Sequence, residues 1–400
     1  MKGIIRYASL LMAAVMLFSC SGNGDGGSGS TGNKTLTITS DKNLIQTFGG
    51  DYATLTVKLG NEVVTEDVMF FDAKNNILDI VDFKFATDNA GKHEIWASYG
   101  TYNSEPIAIM AISVEIPATP ADPQPSSTAF KARTLITEFT TVGCTACPGM
   151  KNFLHKVLND EEHKEFADQL VMMECHSGLV NSVADQCFIA TGYDEFCGIQ
   201  GYPTVNIDMF STFTNYYLAP SDFRAQVNTI FDYKKDKAAG IAVNSSLVDG
   251  QVIAKVTVKS AANGNYRVGA FLVEDGVYGK QLGGEAQEWM DTHDGVVRHI
   301  DALYYTGGGE RYYGFSVGEI AKGATADYVF VWDLDAIWAE GSQKAEVQGG
   351  GKPWAARVDE NLHMVVFVTT LGEDEKGNTF YYVNNVIDCP LNAQTPYEYK

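Results

Sequence analysis

Short runs in which polar and apolar residues alternate occupy the chain from residue 34 to residue 116. They include Leu36–Thr39, Ala53–Leu59 and Ile107–Val114, and clusters of Gly and Asn separate them. Alternation with a period of two is typical of strands that bury one face, and such clusters are typical of turns. The pattern predicts a small β-sandwich over residues 34–116.

The hydrophobic period changes in residues 131–238. Strand-like runs lie at Leu135–Thr140, Leu170–Glu174 and Thr204–Asp208. Between the first two runs, apolar residues recur at helical spacing on one face: Met150, Phe153, Leu154, Val157 and Leu158. Strand, helix and strand in this order predict a central α/β domain with a parallel sheet.

From residue 239 to residue 400 the two-residue alternation returns, interrupted by Gly-rich loops, and predicts a second β-sandwich-like domain. Residues 117–130 hold four of the chain's 11 prolines and are expected to form an extended linker. The predicted fold class is therefore multidomain, with an N-terminal β-sandwich, a central α/β domain and a C-terminal β-sandwich-like domain.

The first residues are typical of an export signal. Basic residues precede the apolar run Tyr7–Phe18, which is too short to span a membrane as a helix but has the length of a signal-peptide core. The run is followed by Ser and Cys, and LFSC resembles the lipobox of bacterial lipoproteins. The resemblance implies a signal peptide at 1–19, lipidation of Cys20 and a flexible tether at 20–33. An ordinary secretory signal with an incidental Cys20 is the alternative.

The charge of the chain argues against nucleic-acid binding. Its 50 acidic residues outnumber its 29 basic residues and give a formal net charge of −21 at pH 7. An acidic body repels a phosphate backbone, and the sequence has no basic stripe that would overcome the repulsion. We therefore expect no nucleic-acid partner.

Cys144 and Cys147 lie at the predicted junction between a strand and a helix. Two cysteines separated by two residues at such a junction are a thiol–disulfide arrangement. The N-terminus of the helix favours the thiolate of the first cysteine, and the second lies close enough to close a disulfide. Pro148 fits the start of the helix. We expect Cys144 to attack and Cys147 to resolve; a permanent structural bridge is the alternative in an exported chain.

The run LITEFTTVGCTAC resembles the active-site strand of thioredoxins and protein disulfide isomerases. In those families an acidic residue followed by Phe lies six positions before the first cysteine, and Glu138 and Phe139 occupy these positions. The run GYPT resembles the loop that carries a cis-proline opposite the disulfide. The resemblance implies that Pro203 is cis and shapes the peptide-binding edge, and that Glu138 is the proton acceptor for Cys147.

From residue 131 to its end, the chain also resembles the outer-membrane-protein-28-related lipoproteins of Bacteroidota. The matching stretches are GCTACPGMKN, GYPTVNID, HDGVVRHI and HMVVFVTTLGEDEKGNTFYYVNNVI. That family joins a thioredoxin-like domain, here residues 131–238, to a β-rich C-terminal domain, here residues 239–400, and the resemblance implies lipid anchoring at the outer membrane. The run GKHEIWASYGTYNSEPIAI resembles the closing strands of bacterial immunoglobulin-like modules, which implies an Ig-like domain at 34–116.

Four further cysteines follow the lipobox and the Cys144–Cys147 pair. Cys187 and Cys197 would close a short loop, and a structural disulfide between them is expected, with a second redox pair as the alternative. The partners of Cys175 and Cys389 cannot be deduced from spacing.

Other residues are of types that could form a metal or ligand site, but their pattern does not predict one. A zinc site is allowed by ligand type at Cys144, Cys147, Cys175 and His176. His176 could instead tune the disulfide or be an ordinary surface histidine. A loop rich in ligand types contains Asp291, His293, Asp294 and His299, and aromatic residues that could line a ligand surface include Trp332, Trp338 and Trp354. We expect no metal and no cofactor.

Two functions follow from these patterns. The first is a lipid-anchored thiol–disulfide oxidoreductase that acts on the thiols or disulfides of exported proteins. The second is a non-catalytic outer-membrane lipoprotein that binds a protein or glycan partner. Fold does not distinguish them.

Overall fold

A computed structural model describes residues 34–284, 286–306, 309–373 and 376–400. The expected signal peptide at 1–19, the tether at 20–33 and the lipidation site Cys20 lie outside the described residues. Within the described ranges, no helix has both the length and the apolar character needed to cross a membrane.

The strands are β1 (Leu36–Ser40), β2 (Leu44–Gln46), β3 (Ala53–Leu59), β4 (Glu62–Val64), β5 (Met69–Asp72), β6 (Ile77–Leu78), β7 (Lys84–Phe85), β8 (Gly91–Tyr99), β9 (Tyr102–Asn103), β10 (Ile107–Ile112), β11 (Thr134–Phe139), β12 (Leu170–Cys175), β13 (Thr204–Ile207), β14 (Ser211–Phe213), β15 (Gly240–Val248), β16 (Gln251–Lys259), β17 (Gly264–Glu274), β18 (Val277–Tyr278), β19 (Thr292–His293), β20 (Val296–Asp301), β21 (Tyr304–Thr306), β22 (Gly309–Arg311), β23 (Phe315–Ile320), β24 (Thr325–Asp333), β25 (Leu362–Glu373), β26 (Thr379–Pro390) and β27 (Gln394–Thr395). The α-helices are α1 (Cys147–Leu158), α2 (Lys164–Ala167), α3 (Tyr193–Phe196), α4 (Pro220–Lys234) and α5 (Leu334–Gln348). Short 3-10 helices lie at Glu161–His163, Glu288–Asp291 and Asp359–Asn361.

Contacts divide the chain into two compact units, one ending at Ser113 and one running from Val114 to Lys400. The first unit contains two sheets, one in the order β1-β3-β4 with β7 also on β3, and one in the order β2-β10-β8-β5-β6 with β9 also on β8. Their alternating apolar side chains, such as Leu55, Val57 and Ile95, form one buried core. This is the expected consequence of strands that bury one face.

The second unit is built on a nine-stranded sheet in the order β14-β13-β11-β12-β20-β17-β25-β26, with β23 also paired to β17. A four-stranded sheet in the order β24-β16-β15-β27 faces part of it. Apolar side chains of both sheets, including Val256, Phe330, Val268 and Val366, meet in a common core.

The predicted fold class is wrong. Strands occupy 41% of the structure and helices 17%, and residues 131–238 do not form an α/β sheet of their own. Strand β12 pairs in parallel with β20, through Glu174 and Val296, so the sheet of the central segment continues into the C-terminal strands. The hydrophobic period identified individual strands, but it carries no information about which distant strand each one joins.

Helices α1 and α4 cover one face of the large sheet beside β11 and β13. That core contains Ile136, Val205 and Ile207 from the sheet, Met150 and Leu154 from α1, and Phe223 and Val227 from α4. Leu135 and Phe139 belong to the core on the opposite face. Because side chains alternate along a strand, Glu138 lies on the same face as Ile136, toward the helices.

A buried ion pair fixes α4 to this sheet. The Lys234 ammonium lies 2.5 Å from Asp208 Oδ2, and both side chains are excluded from solvent. Asp208 Oδ1 accepts a hydrogen bond from the backbone N–H of Leu135 at 2.8 Å. The end of β13, the start of β11 and the last turn of α4 are therefore held together, at the end of β11 opposite to the one from which the cysteine turn emerges.

Candidate functional site

Cys144 and Cys147 form a disulfide at the N-terminus of α1. Their Cα atoms are 5.4 Å apart, and the N–H of Cys147 donates to Cys144 Sγ at 3.1 Å. Pro148 occupies the first turn of the helix, where the missing N–H costs no hydrogen bond. The two sulfurs therefore lie where free helical N–H groups and the helix dipole stabilise a thiolate.

The Tyr202–Pro203 peptide bond is cis, as the resemblance implied. Pro203 immediately precedes β13, which pairs antiparallel with β11 so that Thr204 lies opposite Phe139. Since Phe139 is the last residue of β11, Pro203 lies at the end of the sheet from which the cysteine turn emerges. The register thus brings Pro203 to the same edge as the disulfide.

Residues 279–284, which we call the covering segment, lie over the cysteine turn. The side-chain NH₂ of Gln281 points to the carbonyl oxygens of Cys144 at 3.0 Å and Val142 at 3.3 Å. The N–H of Leu282 donates to the Val142 carbonyl at 2.8 Å. Gln281 itself is buried, and its Oε1 has no hydrogen-bond partner among the described residues.

Cys144 is 3% and Cys147 1% exposed. The covering segment packs on the cysteine turn, and Asn181 also donates to the Gly143 carbonyl at 2.9 Å. A partner thiol must reach a sulfur along the S–S axis, so exchange requires residues that cover the turn to move away from it. This burial was not foreseen, because the segment lies about 135 residues after the cysteines in sequence.

Gly283→Ala is expected to speed reduction of the disulfide by a small thiol about tenfold. Gly283 has a φ of +137°, which an L side chain rarely adopts. Its Cβ would lie 2.6 Å from the Thr145 carbonyl oxygen and 2.9 Å from Pro148 Cγ, so the segment must lift. The measurement is the rate of thiol release in dithiothreitol, followed by alkylation and mass spectrometry.

Gly284→Ala is the matched control, because a Cβ at Gly284 meets nothing within 4 Å. It should leave the reduction rate unchanged. Equal rates in both variants would mean that the covering segment does not limit access to the sulfurs.

Glu138 and Glu174 lie side by side in register on the parallel strands β11 and β12. Glu138 is buried and its Oε1 has no hydrogen-bond partner among the described residues. Burial, together with the charge of Glu174, raises the pKa of Glu138 to about 8. Glu138 is therefore mostly protonated at neutral pH and holds a proton beneath α1.

Glu174 stays ionised because Lys151 and two histidines surround it. Burial alone would raise its pKa, but Lys151 and His293 hold the pKa of Glu174 well below the usual value. Lys151 reaches down from α1 to place its ammonium 3.2 Å from Glu174 Oε1. His293 Nδ1 lies 2.7 Å from Glu174 Oε2. The two neighbouring carboxyls thus differ in charge, one neutral and one ionised.

His176 links Glu174 to the cysteine turn through Asp185. Its Nδ1 lies 2.8 Å from Asp185 Oδ2 and its Nε2 lies 3.3 Å from Glu174 Oε2. Burial would lower the pKa of His176, but the two carboxylates raise it to about 9. Asp185 Oδ2 also accepts the N–H of Val142 at 3.0 Å, two residues before Cys144. A continuous buried network therefore runs from α1 to the cysteine turn.

Glu138→Gln is expected to change how stability depends on pH. Because the folded pKa of Glu138, about 8, exceeds its unfolded value near 4.5, the native state binds an extra proton between these limits. Wild type should lose stability as the pH rises through that window, and the isosteric amide should not. From pH 5 to pH 8.5, the free energy of unfolding of the variant should rise by roughly 2–5 kcal/mol relative to that of wild type.

Chemical denaturation at several pH values measures this difference. Glu165→Gln, at an exposed position on α2, is the control and should follow wild type throughout. Parallel curves for wild type and the Glu138 variant would contradict the assignment of a buried neutral carboxyl.

The expected Cys187–Cys197 disulfide is not formed, because both cysteines are free and buried. Cys197 faces the sheet core that also contains Cys175 and Tyr193, whereas Cys187 packs with Val277 and Val296 in a separate cluster. The two thiols therefore point into different cores. Burial raises the pKa of both thiols well above the usual value, so neither is a ready nucleophile.

The four residues whose types allowed a zinc site, Cys144, Cys147, Cys175 and His176, do not come together in the structure either. Cys144 and Cys147 are bonded to each other, and Cys175 is buried in the sheet core. Of these four residues, His176 is the one that contacts the buried network, through Glu174 and Asp185. Cys389 is free and buried in β26, with its thiol 3.5 Å from the Met364 carbonyl oxygen.

The ligand-rich loop is divided between two places. His293 joins Glu174 beneath α1, and Asp294 lines the cavity beside them. His299 lies instead on β20 against the Trp332 ring. Trp332 and Trp354 line a separate cavity of about 380 Å³ in the second unit, although both are largely buried as core residues.

Sequence reasoning missed Lys151, Glu174, Asp185 and Gln281 as residues of this site. Two local signals existed. Lys151 lies four residues after Cys147, one helical turn along the same face, and Glu174 alternates with His176 at the end of an otherwise apolar run. Nothing local marks Asp185 or Gln281, whose roles come from tertiary contacts.

No protein-family model matches the chain, and no curated protein matches it. Among solved structures, HBP35 of Porphyromonas gingivalis is similar over 68% of this chain and 78% of its own, with 15% identical residues and a TM-score of 0.47. Domains 4–9 of the surface layer protein SbsC cover 92% of this chain and 68% of their own, with 8% identity and a TM-score of 0.16. Likenesses this weak carry no argument about function.

Proposed function

We propose that the protein is a lipid-anchored thiol–disulfide oxidoreductase that acts on the thiols or disulfides of exported proteins. The observation that carries the proposal is the Cys144–Cys147 disulfide at the N-terminus of α1. The strand that leads into it contributes Glu138, a buried carboxyl with a pKa of about 8. Thiol exchange needs a disulfide that a thiolate can attack, and a proton donor tuned near neutral pH can assist the departing thiolate.

The proposed exchange begins when a substrate thiolate attacks Cys144 Sγ. The Cys144–Cys147 bond breaks, a mixed disulfide forms at Cys144, and Cys147 leaves with the electron pair as a thiolate. A second substrate thiolate then attacks the mixed disulfide and releases Cys144. Two electrons pass from the substrate thiols to the cysteine pair, and the reverse sequence reduces a substrate disulfide.

In this proposal Glu138 donates a proton to the departing Cys147 thiolate and recovers it when the disulfide closes again. A carboxyl with the usual pKa would be ionised at neutral pH and could not donate. The ionised Glu174 beside it keeps the Glu138 proton in place until a stronger base appears. Pro203, at the same edge of the sheet, borders the surface on which a substrate peptide would lie.

Burial of the sulfurs favours a second candidate function. Cys144 and Cys147 are buried, as the residues of a structural bridge would be. In that case the protein is a non-catalytic lipoprotein that binds a protein or glycan partner, and the disulfide only holds the cysteine turn in shape.

The reduction potential of the Cys144–Cys147 pair distinguishes the two candidates. The full chain is equilibrated in thiol buffers of graded potential, and the bridge is quantified by alkylation and mass spectrometry. The oxidoreductase proposal expects a value between about −120 and −270 mV, the range of known exchange proteins. A value below about −300 mV would leave the binding protein as the function.

A further inference from the structure

Two histidines and one carboxylate converge at a single point beneath α1. His176 Nε2 lies 3.3 Å and His293 Nδ1 lies 2.7 Å from the same oxygen, Oε2 of Glu174. These three ligand atoms lie within 4.8 Å of one another. Both imidazoles are fully buried. Two imidazoles and one carboxylate are a recurring set of ligands for transition-metal ions in proteins.

The remaining nitrogen of each imidazole is committed to a fixed acceptor. His176 Nδ1 lies 2.8 Å from the Asp185 carboxylate, and His293 Nε2 lies 3.0 Å from the carbonyl oxygen of Gly279. Because a carboxylate and a carbonyl only accept, each of these nitrogens carries the proton. Such partners orient metal-binding histidines and leave the other nitrogen for the ion. His176 Nε2 and His293 Nδ1 are the nitrogens that face Glu174.

Lys151 places a cation among these groups. Its ammonium lies 3.2 Å from Glu174 Oε1, 3.2 Å from His293 Nδ1 and 3.0 Å from the Thr292 carbonyl oxygen. The surroundings are therefore built to hold positive charge. Lys151 also lines a cavity of about 280 Å³ with Glu174, Trp289 and Asp294, and the cavity has room for the ammonium when another cation takes its position.

We propose that Glu174, His176 and His293 form a binding site for a divalent transition-metal ion of the zinc class. The ion displaces the Lys151 ammonium into the adjacent cavity and replaces any proton on the two facing nitrogens. Of the three ligands Glu174 lines the cavity, so water or a small ligand would approach the ion from the Glu174 side. None of the three ligands is a cysteine, so the ion can bind while the Cys144–Cys147 disulfide is intact.

Cobalt(II) is the probe, because it occupies zinc sites and absorbs visible light. The full chain, untagged and with Cys144–Cys147 oxidised, is titrated with cobalt(II) and then with zinc(II). We expect one equivalent of cobalt to give visible absorption without a thiolate charge-transfer band, and zinc to abolish the absorption. Glu174→Gln and His293→Gln should each weaken binding at least ~100-fold.

Lys151→Met is expected to bind cobalt more tightly than wild type, a result that misfolding of the variant could not produce. Removal of the competing charge should tighten cobalt binding at least ~10-fold. His163→Ala, at an exposed histidine of a 3-10 helix, is the control and should bind as wild type does. Binding by the Lys151 variant but not by wild type would overturn the proposal, as would no binding by either.

A thiolate charge-transfer band would also overturn it. Cys187 lies with His176 and Asp185 in a second, overlapping group of ligand types, and such a band would place the ion there. Unchanged affinity in the Glu174 and His293 variants would assign the cobalt to surface histidines.

Discussion

Cys144→Ser should reduce catalysed disulfide exchange to the uncatalysed rate, a loss of at least ~100-fold. Cys144 lies three residues before the first residue of α1 and forms the mixed disulfide in the proposed sequence, so no other residue can replace it. The rate is measured with a fluorescent peptide that contains one disulfide, with dithiothreitol as the electron donor. The serine variant should fold normally, since the side chain is close in size.

Cys389→Ala is the matched control for this loss. Cys389 is a buried free thiol in β26, and it belongs to the core between the two sheets of the second unit. Its removal should leave the exchange rate within about twofold of wild type. If the Cys144 and Cys389 variants exchange equally well, the activity does not pass through the α1 disulfide.

Asp185→Ala should lower the free energy of unfolding by about 5 kcal/mol. Asp185 is fully buried, and its carboxylate accepts the backbone N–H of Val142 at 3.0 Å and of Cys187 at 2.8 Å. It also neutralises His176. Alanine leaves two buried N–H groups and one imidazolium without their acceptor, and each carries a desolvation cost. Chemical denaturation at pH 7 measures the change.

Asp232→Ala provides the comparison on α4. That aspartate is largely exposed and pairs with Lys235 on the surface at 2.6 Å, an arrangement that solvent screens. Its removal should therefore leave the free energy of unfolding close to that of wild type. A similar small loss for Asp185→Ala would show that the buried network does not stabilise the second unit.

Local patterns in the sequence led to the cysteine pair and its helix. The helical spacing of Met150, Phe153 and Leu154 placed a helix directly after Cys147, where the structure has α1. The cis bond at Pro203 followed from a four-residue resemblance. Each of these features depends on residues that are neighbours along the chain, so a short stretch contains the information.

Features that depend on contacts between residues far apart in the chain could not be predicted from local sequence patterns. Strand β12 has apolar residues on both faces, which predicts a buried strand but not that its neighbour begins at Val296. One partner of Glu174 is His293, 119 residues later in the chain. The expected Cys187–Cys197 bridge was wrong for the same reason, since short spacing does not determine which core each side chain enters.

The most direct test of the proposed exchange is the trapping of a mixed disulfide by the Cys147→Ser variant. The reduced full chain is mixed with oxidised glutathione, quenched with acid and mapped by mass spectrometry. We expect one glutathione on Cys144 of this variant, because no resolving thiol remains to release it, and no adduct on wild type. An absence of adduct on Cys144, with the covering segment opened by Gly283→Ala as well, would contradict the account and leave the disulfide a structural bridge.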